Sequence, residues 1–238
     1  DQGYAAAQDK LGFMYSEGLG VTEDYNEALK WWRKAAEQGN ARAQFSLGAE
    51  YEDGGTVIQQ DFEKAMMWYR KAAEQGYAAA QFRIGIMHDF GRGVPLDNKK
   101  AMIWYRKAAE QGDAEAQYNL ARGLPKPSGT LNNKRRNTEE TMMWYRKAAE
   151  QGYVKGQYML GMMHGTITHS GLVKLVGYNV SYVTSYAWTS IAAINGHKIA
   201  PRFISEFLEP KMTPNQITKA KKLSKDMATK NPKLIKKK

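Results

Sequence analysis

Histidines are the residues of this sequence best suited to acid–base or metal chemistry, and the chain has four of them: His88, His164, His169 and His197. The chain contains no cysteine, which excludes disulfides, thiolate metal sites and thiol nucleophiles. His164 and His169 flank an irregular insertion and could bind a metal ion or act in hydrolysis. Two histidines without further ligands make an incomplete metal site, so we predict neither a metal ion nor a cofactor.

Enzyme signatures are otherwise missing from the sequence. It contains no Gly-x-Gly-x-x-Gly, no phosphate-loop lysine motif, no His-Glu-x-x-His and no Gly-x-Ser-x-Gly. His88 and His164 stand where other copies of a repeated unit carry Tyr15 and Tyr51, which favours ordinary packing over catalysis. We therefore expect a protein that is not an enzyme, with a hydrolase using the histidines of the insertion as the alternative.

A repeated unit must position these residues. The segment 67–76, MWYRKAAEQG, recurs unchanged at 143–152, with small changes at 30–39 and 103–112, and in a more divergent form at 187–196. A glutamine near the start of each unit recurs with spacings of 36, 37, 36 and 40 residues, in the series Gln8, Gln44, Gln81, Gln117 and Gln157. A period of this length predicts a solenoid of stacked repeats.

Each unit predicts two helices. The first carries a small residue four positions after the glutamine, in the series Gly12, Gly48, Gly85, Ala121 and Gly161. Glycine inside a helix costs about 1 kcal/mol relative to alanine, so its recurrence indicates the close approach of a neighbouring helix. The second helix is predicted to follow an N-cap residue, in the series Asp24, Asp61, Asp97, Asn137 and Ser181. It ends at a glycine suited to a left-handed conformation, in the series Gly39, Gly76, Gly112, Gly152 and Gly196.

A tryptophan recurs on the apolar face of each second helix, in the series Trp31, Trp68, Trp104, Trp144 and Trp188. A single unit cannot bury that face, so neighbouring units must stack against it. We predict that these indoles anchor the contacts between helices, and that Trp68→Ala or Trp104→Ala costs about 3–5 kcal/mol.

The combined pattern is Ala-x-Ala-Gln-x-x-Leu-Gly-x-x-Tyr, then Gly-Val-x-x-Asp-Tyr-x-x-Ala-x-x-Trp-x-x-Lys-Ala-Ala-x-x-Gly. It resembles the Sel1-like repeat, a relative of the tetratricopeptide repeat that is typical of bacterial proteins. The resemblance implies an all-α fold, a right-handed α-solenoid of stacked helix-turn-helix repeats with a C-terminal capping helix. It covers most of 2–196 and departs in repeat 4, where Ala121 replaces the glycine, and again in repeat 5.

The repeats define the expected organisation of the chain. Residues 1–196 form five repeats, with approximate bounds 2–39, 40–76, 77–112, 113–152 and 153–196. Residues 197–230 are expected to form capping helices, the last one begun by a capping box from Thr213 to Gln216, and 231–238 a frayed basic tail. Pro, Gly and Asn residues in 122–137 predict an irregular loop in repeat 4. The insertion 165–180 of repeat 5 contains a stretch, 172–178, that favours a short extended segment.

Positive charge is concentrated near the C-terminus. Residues 211–238 carry ten lysines and one acid, Asp226, so they hold +9 of the net charge of +11. They contain no aromatic residue for base stacking, and we expect no nucleic-acid partner. A basic tail that binds anionic lipid or nucleic acid is the alternative. No run of apolar residues is long enough for a transmembrane helix.

Adjacent Arg-Lys pairs recur along the second helices at 33–34, 70–71, 106–107 and 146–147. They could form a stripe that binds phosphates or an acidic partner. The small net charge of the repeats favours instead a solvated face, in which each arginine stands four residues before a glutamate.

Positions that vary between repeats while their neighbours stay fixed are the best candidates for partner contact. By analogy with related solenoids, the first helices line the concave groove. Their variable positions are Lys10, Met14, Ser46, Glu50, Arg83, Met87, Asn119, Met159 and Met163. Methionine suits adaptable binding surfaces. The irregular loops of repeats 4 and 5 add Lys134, Arg135, Arg136 and Tyr178.

The sequence thus predicts a non-enzymatic scaffold or adaptor that binds a partner protein through the concave groove and these loops. Sel1-like proteins often act in bacterial exported or host-interacting contexts. A subset resembles periplasmic immunity proteins that neutralise secreted toxins, including type VI phospholipase effectors, and the resemblance implies such a partner. The sequence begins at Asp1 rather than methionine, so we expect that an upstream segment was removed. A periplasmic or secreted protein is expected, with the cytoplasm as the alternative.

Overall fold

The computed structural model describes residues 3–54, 57–125, 131–166 and 181–236, and the side chains of these residues except 131–135 and 166. Within those ranges every regular element is helical, which confirms the predicted all-α solenoid of helix-turn-helix repeats. The α-helices are α1 (Ala5–Glu17), α2 (Tyr25–Glu37), α3 (Ala41–Asp53), α4 (Phe62–Glu74), α5 (Ala78–Phe90), α6 (Asn98–Glu110), α7 (Ala114–Gly123), α8 (Leu131–Glu150), α9 (Val154–Thr166), α10 (Tyr182–Ile194), α11 (Ala200–Phe203) and α12 (Pro214–Lys230). A π-helix spans Ile204–Leu208, and 3-10 turns span Glu209–Lys211 and Pro232–Leu234.

The chain divides into two compact units, 1–113 and 114–238. In the first unit α1 packs on α2, α3 on α4 and α5 on α6, and each pair packs on the next. In the second unit α7 packs on α8, α8 on α9, and α9 on α10, while α12 packs against α10. Each unit therefore contains the stacked helix pairs that the sequence predicts.

Helix ends largely follow the predicted caps. Side chains accept hydrogen bonds from backbone N–H groups of the first helical turn at Asp24, Asp61, Asp97 and Ser181. The N-cap predicted at Asn137 is wrong, because α8 already begins at Leu131 and Asn137 lies inside it. The irregular loop predicted for 122–137 is shorter for the same reason, since residues 131–137 contain neither proline nor glycine to stop a helix.

The recurring glycine of the first helix packs against an aromatic ring of its own repeat. A Cβ added at Gly48 would lie 2.5 Å from Tyr69 Cδ1, closer than two carbon atoms can approach. The equivalent pairs are Gly12–Trp32, Gly48–Tyr69 and Gly85–Tyr105. The predicted close approach is thus confirmed, and its partner is the residue that follows the repeated tryptophan.

The repeated tryptophans are less uniformly buried than the sequence predicts. Trp144 and Trp188 are buried, whereas Trp31, Trp68 and Trp104 are only half-buried. A lysine three residues on covers the ring in four repeats, at 4.3–4.5 Å from the ring centroid, in the pairs Lys34–Trp31, Lys71–Trp68, Lys107–Trp104 and Lys147–Trp144. The lysine of each Arg-Lys pair therefore covers an indole by a cation–π contact.

Gly48→Ala is expected to destabilise the first unit by about 1–2 kcal/mol, although alanine is the better helix former. The Tyr69 ring cannot easily move away from a new methyl group, because it is fully buried and its hydroxyl donates to Glu52 Oε2 at 2.7 Å. Urea unfolding is the measurement. Ala49→Gly, one residue on, is the control and should show the ordinary order, in which alanine is the more stabilising residue. A Gly48→Ala variant as stable as the parent would contradict the packing described here.

Glutamine side chains link the two helices of a repeat, and within each unit they also reach the preceding repeat. In repeat 2, Gln75 Nε2 donates to Gln44 Oε1 at 2.8 Å, and Gln44 Nε2 donates to the carbonyl of Ala36 in repeat 1 at 3.1 Å. The same side-chain pair recurs as Gln38–Gln8, Gln111–Gln81, Gln151–Gln117 and Asn195–Gln157. The buried amide of the repeated glutamine thus has hydrogen-bond partners, which explains why a polar residue recurs inside the stack.

The C-terminal segment is more ordered than the sequence predicts. The capping box is confirmed by reciprocal hydrogen bonds between Thr213 and Gln216. Within 197–208, where capping helices are expected, the chain forms α11 and the π-helix. Residues 231–236 are not frayed, because Leu234 is 3% exposed and its carbonyl accepts two side-chain hydrogen bonds from the second unit.

The extended segment predicted at 172–178 lies outside the described residues. Among the helices of the described ranges, none combines the length and the apolar character needed to cross a bilayer.

Candidate functional site

The first helices of repeats 1–3 expose the same three positions. The helix side that carries the repeated Gln, Leu or Ile, and Gly packs into the stack, which leaves a second side partly or fully open to water. We call this side the first-helix face. It consists of Lys10, Phe13 and Glu17 on α1, Ser46, Ala49 and Asp53 on α3, and Arg83, Ile86 and Phe90 on α5. Phe13 is 40% and Phe90 56% exposed, which makes them candidate anchors for a partner.

Two arginines of repeat 3 converge on a buried carboxylate of repeat 2. Arg83 Nη1 lies 3.8 Å from Glu52 Oε2, and Arg92 Nη1 lies 3.6 Å from Glu52 Oε1. The Glu52 side chain is 4% exposed, whereas those of Arg83 and Arg92 are 41% and 47% exposed. Both distances are too long for strong hydrogen bonds, so these contacts are ion pairs in which part of each guanidinium group still faces water.

Tyr69 is the third residue that contacts the Glu52 carboxylate. Its hydroxyl donates to Glu52 Oε2 at 2.7 Å. Burial raises the pKa of Tyr69 well above its ordinary value, and the neighbouring Glu52 carboxylate raises it further. The hydroxyl therefore remains a hydrogen-bond donor at any physiological pH, and it fixes the carboxylate that holds the arginines.

Arg42 of repeat 2 lies beside the ring of Phe13 and near the Asp9 carboxylate, both of repeat 1. Its Nε lies 3.6 Å from Asp9 Oδ2, and its guanidinium carbon lies 5.3 Å from the Phe13 ring centroid. Burial raises the pKa of the Asp9 carboxyl, and Arg42 partly offsets that effect. A charged contact thus orients one of the exposed aromatic rings of the first-helix face.

The edge of the face near repeats 1 and 2 is acidic. The carboxylate of Glu50 has the largest effect in raising the pKa of the Tyr25 hydroxyl, and burial, Glu17, Glu23 and Asp53 add to it. Burial and Asp53 also raise the pKa of Glu50 itself. Carboxylates therefore surround Tyr25 at this edge, whereas Lys10 of repeat 1 and Arg83 of repeat 3 are the cations of the face itself.

Most predicted contact residues of the first unit lie where a partner can reach them. Lys10 is exposed, and Met14, Ser46, Glu50 and Arg83 are half-buried. Met87 corrects the prediction, since it is fully buried in the cluster that contains Ala65 and Met66. Methionine at this position fills space beside α4 instead of facing outward.

The predicted residues of the second unit are less accessible. Asn119 is 8% exposed, and its Nδ2 donates to the carbonyl of Glu115, so the expected outward orientation is wrong for it too. Met159 and Met163 are half-buried, and Arg136 is exposed. The side chains of Lys134 and Arg135, and all of Tyr178, lie outside the described residues.

Sequence reasoning did not select Phe90, Arg92 or Arg42. An aromatic residue just before a Gly-x-Gly turn was the available signal for Phe90. Arg92 and Arg42 carried no such signal, because their partners Glu52 and Asp9 lie 40 and 33 positions away in the chain and become neighbours only when repeats stack.

Of the two histidines that the sequence offers for hydrolysis or metal binding, the structure describes His164. His164 is 7% exposed, and burial together with Arg146 lowers its pKa to about 4. His169 lies outside the described residues. Within the described ranges, no three His, Asp or Glu side chains are grouped so that they could hold a metal ion.

Comparison with known proteins places the repeats in one family. A family model described as the Sel1 repeat matches residues 5–40, 41–77, 78–113, 114–153 and 154–197. Among curated proteins, a putative sel1-like repeat-containing protein of Acanthamoeba polyphaga mimivirus is 44% identical over 45 residues. That stretch is 19% of this chain and 8% of the viral protein.

Solved structures extend the similarity to nearly the whole chain. A protective antigen of uropathogenic Escherichia coli with an SLR fold is 33% identical, with a TM-score of 0.79 over 98% of this chain and 48% of its own. A Sel1 repeat protein of Oxalobacter formigenes is 31% identical, with a TM-score of 0.71 over 94% of this chain and 88% of its own. The chain thus spans about half of the Escherichia coli protein.

Two immunity proteins of Pseudomonas aeruginosa share the fold at lower identity. One is 17% identical with a TM-score of 0.50, over 96% of this chain and 82% of its own. The other is 20% identical with a TM-score of 0.51, over 98% of this chain and 82% of its own.

Proposed function

The chain belongs to the Sel1 repeat family, and we propose that it is a non-catalytic scaffold that binds a partner protein through the first-helix face of repeats 1–3. One observation carries this proposal. The residues that recur from repeat to repeat are used to build the stack, whereas the nine positions of the face differ in charge, size and aromatic character. A surface whose side chains differ from repeat to repeat, on a regular helical backbone, can match the shape and charge of one particular partner.

The face has the components of a protein interface. Phe13 and Phe90 are aromatic anchors, and Arg42 and Arg92 each hold a cation beside one of these rings, at 5.3 and 5.4 Å from the ring centroid. The Glu52 carboxylate holds Arg83 and Arg92 before any partner arrives, so less side-chain entropy is lost on binding. The acidic Glu17 and Asp53, together with the cations Lys10 and Arg83, would help to fix the orientation of the partner.

The double variant Phe13→Ala and Phe90→Ala is expected to weaken partner binding at least tenfold, because aromatic anchors account for much of the binding energy of an interface. The partner would be identified by cross-linking in the source cells, and its affinity measured by titration calorimetry. The matched control is Met67→Ala with Ile103→Ala, which removes two apolar side chains, 43% and 57% exposed, from the second helices of the same unit. Equal affinity losses in both variants, or none in either, would refute the assignment of the face.

A narrower form of the proposal identifies the class of partner. We propose a secreted bacterial toxin, such as a type VI phospholipase effector, which this protein would neutralise as an immunity protein in the periplasm. The fold that it shares with two immunity proteins motivates this form. The test is co-expression with toxins encoded next to its gene. Rescue of growth by the parent chain and its loss in the Phe13→Ala, Phe90→Ala variant would support the narrower form, and failure to rescue from any of them would leave only the general scaffold.

A further inference from the structure

Helix α12 presents a lysine surface on the second unit. Its apolar side, with Ile217, Ala220 and Ser224, is buried or half-buried where it packs against α10. Its other sides carry exposed lysines, which continue into the segment that follows. This lysine surface consists of Lys219, Lys221, Lys222, Lys225 and Lys230 of α12 with Lys233 and Lys236.

The end of this surface is held in place. The carbonyl of Leu234 accepts hydrogen bonds from Gln157 Nε2 at 2.8 Å and Asn195 Nδ2 at 2.6 Å. Asn231 Nδ2 donates to the carbonyl of Glu150 at 3.0 Å, and the backbone N–H of Lys236 donates to Asn195 Oδ1 at 3.0 Å. Lys233 and Lys236 are therefore part of a folded surface rather than of a mobile tail.

The positive charge of this surface is not neutralised within the described part of the protein. No ion pair joins any of its lysines to an acidic residue that the structure describes. Asp226 is the single acid in 211–238. The lysines extend along a 17-residue helix, which is about 25 Å long. Such a surface attracts an extended anionic partner.

We propose that the lysine surface docks the protein on an anionic phospholipid bilayer. All its cations are lysines, which act as point charges and suit a diffuse negative surface, whereas bidentate contacts to single phosphates favour arginine. Residues 211–238 offer no aromatic ring for a nucleic-acid base.

Apolar residues beside Lys236 favour a bilayer over a nucleic acid. Ile199 is 58% exposed. A groove lined in part by Val154, Ile199 and Lys236 lies there as well. A bilayer interface can take up such apolar surface, which a phosphate backbone cannot do.

Vesicle sedimentation tests the proposal on the full chain. Binding is expected to vesicles of phosphatidylcholine that contain phosphatidylglycerol, to fall steeply as salt is raised, and to be weak with phosphatidylcholine alone. The variant combines Lys221→Gln, Lys222→Gln and Lys225→Gln. Because a lysine near an anionic surface contributes roughly fivefold in affinity, the variant should bind at least tenfold more weakly.

The control variant removes three exposed lysines from the first unit: Lys30→Gln, Lys99→Gln and Lys100→Gln. Its affinity for the vesicles should change by less than about twofold. An equal loss in both variants would refute the lysine surface, because net charge alone would then explain binding. Tighter binding to a DNA oligonucleotide or to polyglutamate than to the vesicles would overturn the membrane assignment. These outcomes are independent of whether a protein partner binds the first-helix face.

Discussion

Replacing Tyr69 with alanine should destabilise the first unit by about 3–5 kcal/mol, more than replacing the adjacent tryptophan. Tyr69 is fully buried, and its ring fills the space against Gly48 and Phe45. Its removal leaves a cavity and also removes the hydroxyl donor of the buried Glu52 carboxylate. A buried charge without that hydrogen bond adds to the cost of the cavity.

Trp68→Ala is the comparison, and the half-buried ring corrects the cost of about 3–5 kcal/mol expected from the sequence. A cost of less than about 2 kcal/mol is expected instead, because part of the ring is already in water and Lys71 lies over its face. Tyr69→Phe separates the two contributions, since it keeps the ring and removes the hydrogen bond, and it should cost about 1.5–3 kcal/mol. Urea unfolding, with hydrogen exchange of α3–α5 to report on the first unit, measures all three. A larger loss in Trp68→Ala than in Tyr69→Ala would contradict the packing described here.

Acid should destabilise the second unit through His164, by about 3 kcal/mol between pH 6.5 and 4. Burial and Arg146 hold the pKa of folded His164 at about 4, below its ordinary value of 6.5. The unfolded chain therefore takes up a proton at this residue as the pH falls below 6.5, while the folded chain does not. The contribution to stability is fully present above pH 6.5, decreases by about 1.4 kcal/mol per pH unit, and levels off below pH 4.

His164→Tyr isolates this effect, because Tyr15 and Tyr51 occupy the equivalent position in repeats 1 and 2. The measured quantity is the unfolding free energy against pH for the parent and the variant, and the parent should lose about 3 kcal/mol relative to the variant as the pH falls from 6.5 to 4. A packing penalty from the larger ring shifts the variant's curve equally at every pH and leaves this relative loss unchanged. Parallel curves would show that His164 is not held neutral in the folded protein.

Sequence spacing was sufficient to predict the helices but not which side chains they bury. The N-cap at Asp61 and the glycine at Gly48 report on local backbone geometry, and both predictions are confirmed. Trp68 and Tyr69 are adjacent in sequence and lie about 100° apart on the helix, so a small error in the assumed packing direction exchanges their roles. The size of the repeated tryptophan makes it the expected core residue, although the residue beside it fills the core.

The predicted contact residues of the candidate site likewise include some that are accessible and one that is buried. Lys10 and Arg83 were predicted from variation at equivalent positions, and the structure leaves both accessible. Met87 occupies an equally variable position and is buried, because in repeat 3 it meets the side chains of α4. Variation between repeats shows that a position is free of the common pattern, but not whether a neighbouring helix covers it.

By itself the sequence determined the repeat, the helix pairs, their caps and the family, because these depend on interactions among residues fewer than about 40 positions apart that recur in each copy. Tertiary structure alone decided three features: the Glu52 cluster that holds Arg83 and Arg92, the burial of Met87, and the pinned segment that ends in Lys236. Each depends on contacts between different repeats or between a repeat and the C-terminal segment. Such contacts leave no periodic signal, since each occurs at one place in the stack and is set by which surfaces meet there.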